Sequence, residues 1–175
     1  MRRTREDQDS AYQAAATAFA DAIARLASAY EAHPDRRADL VQDIHLALWK
    51  SFATFAGQCS VRTWVYRVAH NAATAYVLRE RRARTGQWIG LEHAEQLSHD
   101  SDLEALIGET QARDRLLALV QRLALPDRQV MHLYLEGLDA AAISEITRIS
   151  PGGINNRIYR FKTLLNQAFK EGGAA

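Results

Sequence analysis

The chain has 175 residues, 22 Lys and Arg against 21 Asp and Glu, a net charge of +1, and 47% hydrophobic residues. That length suits one ordinary domain or two small ones, and the composition is that of a folded chain. The near-neutral balance excludes a uniformly basic nucleic-acid binder, the single Cys59 excludes an internal disulfide framework, and no apolar run is long enough to cross a membrane.

Met1-Arg2-Arg3 before an alanine-rich stretch has the outline of a signal peptide, but Glu6, Asp7 and Asp9 stand where positive charge belongs. A cytoplasmic chain is expected. Helical periodicity dominates and strand alternation is nearly absent, so the expected class is all-α. A first helix is predicted from about Ser10 to Tyr30, with Phe19, Ile23, Leu26 and Tyr30 on one face. His33-Pro34 breaks it. A second is predicted from Asp35, as N-cap, to about Phe52, with Leu40, Val41, Ile44, Leu48 and Phe52 inward. Its other side carries Asp39, Gln42, Asp43, Leu46, Trp49 and Lys50. Leu46 and Trp49 ringed by acidic and amide groups suit a protein interface. The competing reading is that the first helix, or the linker at 86–108, covers Trp49.

The loop Ala56-Gly57-Gln58-Cys59 follows, and Ser60 caps a long third helix predicted to reach about Arg84. Val61, Trp64, Val65, Val68, Ala72 and Tyr76 are expected inside. Between Ser60 and Arg84 there are six arginines and one acid, Glu80. Thr63, Tyr66, Arg67, His70, Thr74 and Arg81 are expected opposite the core stripe, with Asn71 at its border. Arginines mixed with an aromatic and hydrogen-bonding groups suit single-stranded nucleic acid, where bases stack and phosphates meet guanidinium. A solvated basic helix end is the alternative.

Residues 86–108 break the pattern, with Glu92, Glu95, Asp100, Asp102 and Glu104 and no Lys or Arg between Arg84 and Arg113. A flexible acidic linker is expected there, between domains at 10–85 and 109–170. Four helices are predicted beyond it: about Glu109 to Leu123; from Leu125-Pro126-Asp127 to Glu136, stopped by Gly137; Ala140 to Thr147; and Ser150-Pro151 to about Phe169.

The last two helices read as a helix-turn-helix. Arg148-Ile149 makes the turn, Ser150 is an N-cap, and Pro151 takes the first helical position, where its missing N–H costs nothing. Ile154, Ile158, Phe161 and Leu165 face inward; Asn155, Asn156, Tyr159 and Arg160, with Arg157 beside them, face out. Asn pairs with adenine and Arg with guanine at two points each in the major groove. A helical hairpin with a solvated basic face is the bland alternative.

Three blocks together resemble the extracytoplasmic-function (ECF) family of sigma factors. Asp39-Leu40-Val41-Gln42-Asp43-Ile44-His45-Leu46-Ala47-Leu48-Trp49 is similar to the family's polymerase-binding helix. Ser60-Val61-Arg62-Thr63-Trp64-Val65-Tyr66-Arg67-Val68-Ala69-His70-Asn71 is similar to its promoter-melting, minus-10-reading helix. Leu125-Pro126, Tyr134-Leu135-Glu136-Gly137-Leu138, Ile149-Ser150-Pro151-Gly152-Gly153-Ile154 and Arg157 to Arg160 resemble its minus-35 domain. The resemblance implies an alternative sigma factor without enzymatic activity or cofactor. It would bind core RNA polymerase through Asp39, Gln42, Asp43, Leu46 and Trp49. It would hold the single-stranded minus-10 element through Gly57, Cys59, Ser60, Arg62, Trp64, Tyr66, Arg67, His70, Asn71 and Arg81. It would read the minus-35 duplex through Ser150, Asn155, Asn156, Arg157, Tyr159 and Arg160. An anti-sigma factor is an expected partner, and membrane insertion is not. Arg148 departs from the pattern, standing where the family usually has glycine.

A stand-alone helix-turn-helix regulator would leave Leu46, Trp49 and the arginine-rich third helix without a role. An enzyme finds no support: the six histidines have no metal-ligand spacing with Cys59, and neither a phosphate loop nor a nucleophile motif is present.

Overall fold

A computed structural model describes residues 5–85 and 109–171. The acidic stretch 86–108, including His93 and His99, lies outside the described residues. The helices are α1 (Arg5–Ala18), α2 (Ala20–Tyr30), α3 (Pro34–Phe52), α4 (Val61–Thr85), α5 (Glu109–Arg122), α6 (Leu125–Leu135), α7 (Ala140–Thr147) and α8 (Pro151–Glu171), with no strand among the described residues. The all-α expectation holds. Contacts divide the chain into two compact units, Met1–Arg84 and Thr85–Ala175. No helix among the described residues is long and apolar enough to cross a membrane.

In the first unit α3 is central, with α1 and α2 both packed against it. Leu40, Ile44, Leu48 and Phe52, four residues apart, are fully buried, and Ile23, Leu26, Ala27 and Tyr30 of α2 meet them inside. Each large aliphatic or aromatic side chain taken from water contributes about 1.5–3 kcal/mol. Helix α4 reaches α2 through Tyr30 and His70, and α3 through Trp64–Ser51 and Arg79–Asp43 contacts.

Three boundaries differ from the sequence reading, the first being that α1 starts at Arg5 rather than near Ser10. The helix expected over Ser10 to Tyr30 is broken at Phe19, whose backbone leaves helical values at φ −115°, ψ 13°. No Gly or Pro marks this break. The Phe19 ring there stands edge-on to Tyr66 of α4, 6.3 Å between centroids. The helix expected from an Asp35 cap starts instead at Pro34, preceded by extended His33 without a side-chain cap. Proline is preorganised for the first helical position and disfavours helix in the residue before it. Asp35 falls in the first turn, where its charge suits the helix dipole.

The α2–α3 corner is built on Glu31. Its carboxylate accepts from the His33 amide at 2.8 Å and from Arg36 at 3.2 Å, while the Tyr76 hydroxyl donates to it from 3.3 Å. Burial alone would raise the Glu31 pKa; the His33 N–H, the Arg36 guanidinium and the Tyr76 hydroxyl outweigh burial and hold it below 4.5. Burial, then the Glu31 and Glu80 charges, push the Tyr76 phenol up to about 12, so it remains a donor.

The inward face of α4 also differs. Ser60 caps the helix as expected, its Oγ accepting from the Thr63 amide at 3.0 Å. However, Val61 is 42% exposed, and the buried stripe is Val65, Tyr66, Ala69, His70, Ala73, Tyr76 and Val77. Counting apolar side chains turned the helix too far. Tyr66 and His70 lie inside, since an aromatic body can be buried when its polar tip finds a partner. For His70 that partner is Tyr30, whose Oη shares a 2.9 Å hydrogen bond with Nδ1, and the Tyr66 ring stands edge-on to Phe19.

The second unit folds α5 to α8 around Val120, Val130, Met131, Leu133, Leu138, Ile143, Ile146, Ile154 and Phe161. Arg128 is buried and donates to the carbonyls of Gln121 and Leu123, filling acceptors that the end of α5 leaves open. Gly137, at φ +77°, ends α6 as expected. Leu138 N–H bonds to Leu133 O and Gly137 N–H to Tyr134 O, the paired bonds of a Schellman motif. Helix α7 has the predicted bounds, and Asp139, which the sequence reading passed over, caps it by accepting from Ala142 N–H at 2.8 Å. Arg148 closes α7 in the left-handed region at φ 66°.

Glu31→Gln tests the corner. A folded carboxyl held below its unfolded value of 4.5 contributes fully above that value, and the contribution is lost as pH falls through the lower folded pKa. Wild type should exceed the variant in stability by about 1–3 kcal/mol near neutrality. In chemical denaturation the gap should narrow from pH 5 to pH 3; a gap independent of pH rejects the assignment. Arg148→Gly should stabilise the second unit by about 1 kcal/mol, because a left-handed non-glycine residue costs more than the extra unfolded freedom of glycine. Unchanged or lowered unfolding of that unit contradicts this.

Candidate functional site

The outward side of α3 combines exposed Asp39 and Gln42 with Leu46, which is 50% exposed. Asp43 is half-buried and ion-paired with Arg79 of α4 at 2.9 Å. Trp49 is half-buried under α1. Its indole N–H donates to Asp9 Oδ1 at 2.7 Å, and Gln8 Nε2 donates to the Trp49 carbonyl at 2.7 Å. One turn earlier, Tyr12 Oη and His45 Nδ1 share a 3.1 Å hydrogen bond. Burial lowers the His45 pKa, which favours the neutral ring. Of the two sequence readings for Trp49, cover by the first helix is the one the structure adopts. Leu46, with Asp39 and Gln42, remains the open part of the patch. Gln8 and Asp9 lie ahead of the expected helix start near Ser10, and Tyr12 lies off the apolar face of Phe19, Ile23, Leu26 and Tyr30, so sequence reasoning missed all three.

Ten residues were expected at a single-strand surface on α4 and the loop before it. Gly57, at φ +76°, Ser60, Arg62, Asn71 and Arg81 are exposed; Cys59, Trp64 and Arg67 are half-buried. Arg67, Asn71 and Arg81 follow one side of α4 at steps of four and ten residues. Trp64 is partly committed to the fold: its indole N–H donates to Ser51 Oγ at 2.9 Å and its ring lies 5.1 Å from that of Phe55. Tyr66 and His70 were expected on this surface and are not on it. They are 4% and 0% exposed, held inside by the contacts to Phe19 and Tyr30. The guanidinium of exposed Arg62 stands 5.8 Å from the Tyr66 ring centre.

On α8, Ile154 and Phe161 are buried while Asn155, Asn156, Tyr159 and Arg160 are exposed, Tyr159 at 73%. Ser150 caps the helix by accepting from Gly153 N–H at 3.2 Å. Arg157 is the exception among the expected base readers. Its Nε donates to Asp127 Oδ1 at 2.7 Å and its Nη1 to Gly153 O at 3.3 Å, so it struts α8 against α6. Asp127 lies thirty residues away, a pairing that no local spacing announces. Lys162 stands over the Tyr134 ring at 5.3 Å. One face of α8 is therefore amide, phenol and guanidinium, laid over an apolar opposite face.

Comparison with known proteins agrees in both units. Residues 16–83 match the family model for Sigma-70 region 2, and residues 113–165 match that for Sigma-70, region 4. The ECF RNA polymerase sigma-E factor of Haemophilus influenzae is 24% identical over 174 residues, covering 94% of this chain and 90% of that protein. Its counterpart from Escherichia coli K12 is 23% identical over 175 residues, covering 95% and 90%. Among solved structures, that of CnrH in complex with the cytosolic domain of CnrY resembles the chain with a TM-score of 0.62 and 20% identity. It covers 94% of this chain and 97% of CnrH's. A stand-alone helix-turn-helix regulator accounts for the second unit and leaves the region 2 match without a role. With region 2 on α1 to α4 and region 4 on the helix-turn-helix unit, the chain belongs to the extracytoplasmic-function sigma factors, alternative sigma subunits that direct RNA polymerase to particular promoters.

Proposed function

We propose that the three exposed faces divide the work of this sigma factor among core RNA polymerase, the opened minus-10 strand and the minus-35 duplex. Asp39, Gln42 and Leu46 of α3 form the centre of the polymerase contact, with Asp43 and Trp49 at its edge. An apolar side chain inside a polar rim is the arrangement that concentrates binding energy at an interface. Trp49 supports the patch from beneath, through Asp9 and Gln8 of α1.

The loop and α4 take the single strand. Drawing a base out of the stack costs a few kcal/mol, which phosphate contacts and ring contacts must offset. Arg62, Arg67 and Arg81 supply the phosphate contacts, and Asn71 and Ser60 supply hydrogen bonds. The exposed Gly57 and the half-exposed Cys59 and Trp64 line the loop end where a base would lodge. Tyr66 and His70 act from within, by holding α4 in its rotation.

Helix α8 enters the major groove of the minus-35 duplex. Asn155, Asn156 and Arg160 meet base edges or phosphates, Tyr159 lies against the backbone, and Ser150 caps the helix at the phosphate wall. Arg157 sets the tilt of the helix through Asp127. The protein works in the cytoplasm, where polymerase is, as a binding subunit without chemistry of its own. An anti-sigma factor is the expected negative partner, as CnrH is bound by the cytosolic domain of CnrY in its structure.

The observation that carries this reading is that in α3 and α8 alike the apolar stripe is buried and the partner-suited face is exposed. Leu46→Ala should weaken binding to core polymerase about 5- to 30-fold, the scale of losing 1–2 kcal/mol at an interface centre, with thermal unfolding unchanged. Full binding by this variant removes α3 from the contact. In promoter binding by the holoenzyme, Arg160→Ala should lose about 1–3 kcal/mol without loss of fold. Arg157→Ala should instead lower the unfolding temperature of the second unit; equal effects of the two on stability would sink the strut assignment.

A further inference from the structure

We propose that Arg148 anchors the second unit on a DNA phosphate, and that this contact is the reason an arginine occupies a left-handed turn position. The inference rests on α8 being the duplex-reading helix and adds to it a contact from outside that helix.

The backbone supplies the first argument. Arg148 is the one non-glycine residue with positive φ among the described residues, at 66°. Left-handed backbone is unfavourable for a side chain other than Asn or Asp, whose short polar groups bond locally. Its amide donates to Ser144 O, a bond that glycine would make equally well. The fold therefore gains nothing from the side chain through the backbone.

Nor does the fold use the guanidinium. Arg148 is exposed, and among the described residues no acceptor and no carboxylate meets it. Strain kept without a compensating contact inside the fold points to a contact outside it.

Position and charge say what that contact is. Arg148 precedes by two residues Ser150, the cap of α8. A helix that enters the major groove by its N-terminal end brings the preceding turn toward the phosphates at the groove wall. This end is open: a Cβ placed on Gly152 meets nothing within 4 Å. Cations are scarce here. Arg157 is tied to Asp127 and Lys162 lies over Tyr134, which leaves Arg160 as the uncommitted base of the described side chains of α8. Arg148 supplies a second positive charge on the approach to that face.

Phosphate contacts are indifferent to sequence, so the test needs no knowledge of the promoter. The full chain is titrated with a random-sequence DNA duplex between 200 and 50 mM salt, as wild type, Arg148→Gly, Arg148→Lys and Arg160→Ala. Each neutralised phosphate contributes about 0.9 to the slope of log affinity against log salt, so a fourfold drop in salt is worth about 3.5-fold per contact. Arg148→Gly should show a slope shallower by about 0.9 and a deficit against wild type that grows about 3.5-fold on dilution. The deficit should be equal on a second, unrelated duplex, and Arg148→Lys should keep the wild-type slope. A line for Arg148→Gly parallel to wild type overturns the anchor. If Arg160→Ala flattens the slope in that same experiment, the placement of α8 on DNA survives; if neither variant does, both readings fall.

Discussion

A buried hydrogen bond between Tyr30 and His70, 2.9 Å long, sets the rotation of α4, and the surface of the first unit follows from that rotation. A helix held only by apolar side chains can roll about its axis at little cost, since one Ala or Val replaces another against the core. Two buried polar tips remove that freedom. If α4 turned, they would separate and lose their hydrogen bond without water to replace it, at about 1–3 kcal/mol. Ser51–Trp64 and Asp43–Arg79 repeat the constraint at two further points along α3. With the helix so fixed, Arg67, Asn71 and Arg81 come to one side.

The second unit reaches the same end through its turns. An eight-residue helix such as α7 has no independent stability in water, so its ends and its packing must define it. The paired bonds around Gly137, the Asp139 cap, the left-handed Arg148 and the Ser150 cap follow within fifteen residues. They aim α8, and the Arg157–Asp127 pair braces it. The brace removes one cation from the outward face.

The net charge of +1 hides this division. Charges on exposed faces act over roughly a Debye length, about 8–10 Å at ordinary ionic strength, so a partner senses the face rather than the sum. The α3 patch is acidic and amide around Leu46, while the outward sides of α4 and α8 are basic and amide. A polymerase contact and two DNA contacts can then coexist on one nearly neutral chain without competing for the same partner.

The sequence by itself determined the helical class, six of the eight helices, α3 to α8, to within a few residues, and the outward sides of α3 and α8. Those features depend on period, on Pro and Gly, and on caps, all of which act within a few residues along the chain. The family resemblance also singled out Arg148, standing where glycine is usual, and the structure shows its φ of 66°. Tertiary structure decided what depends on a distant partner. The burial of Tyr66 and His70 answers to Phe19 and Tyr30, the cover over Trp49 to Asp9 and Gln8, and the commitment of Arg157 to Asp127. In each case a side chain with both an apolar body and a polar or charged end had two admissible places. Periodicity weighs only the body; the partner that satisfies the other end lies up to forty residues away and comes near only when the helices pack.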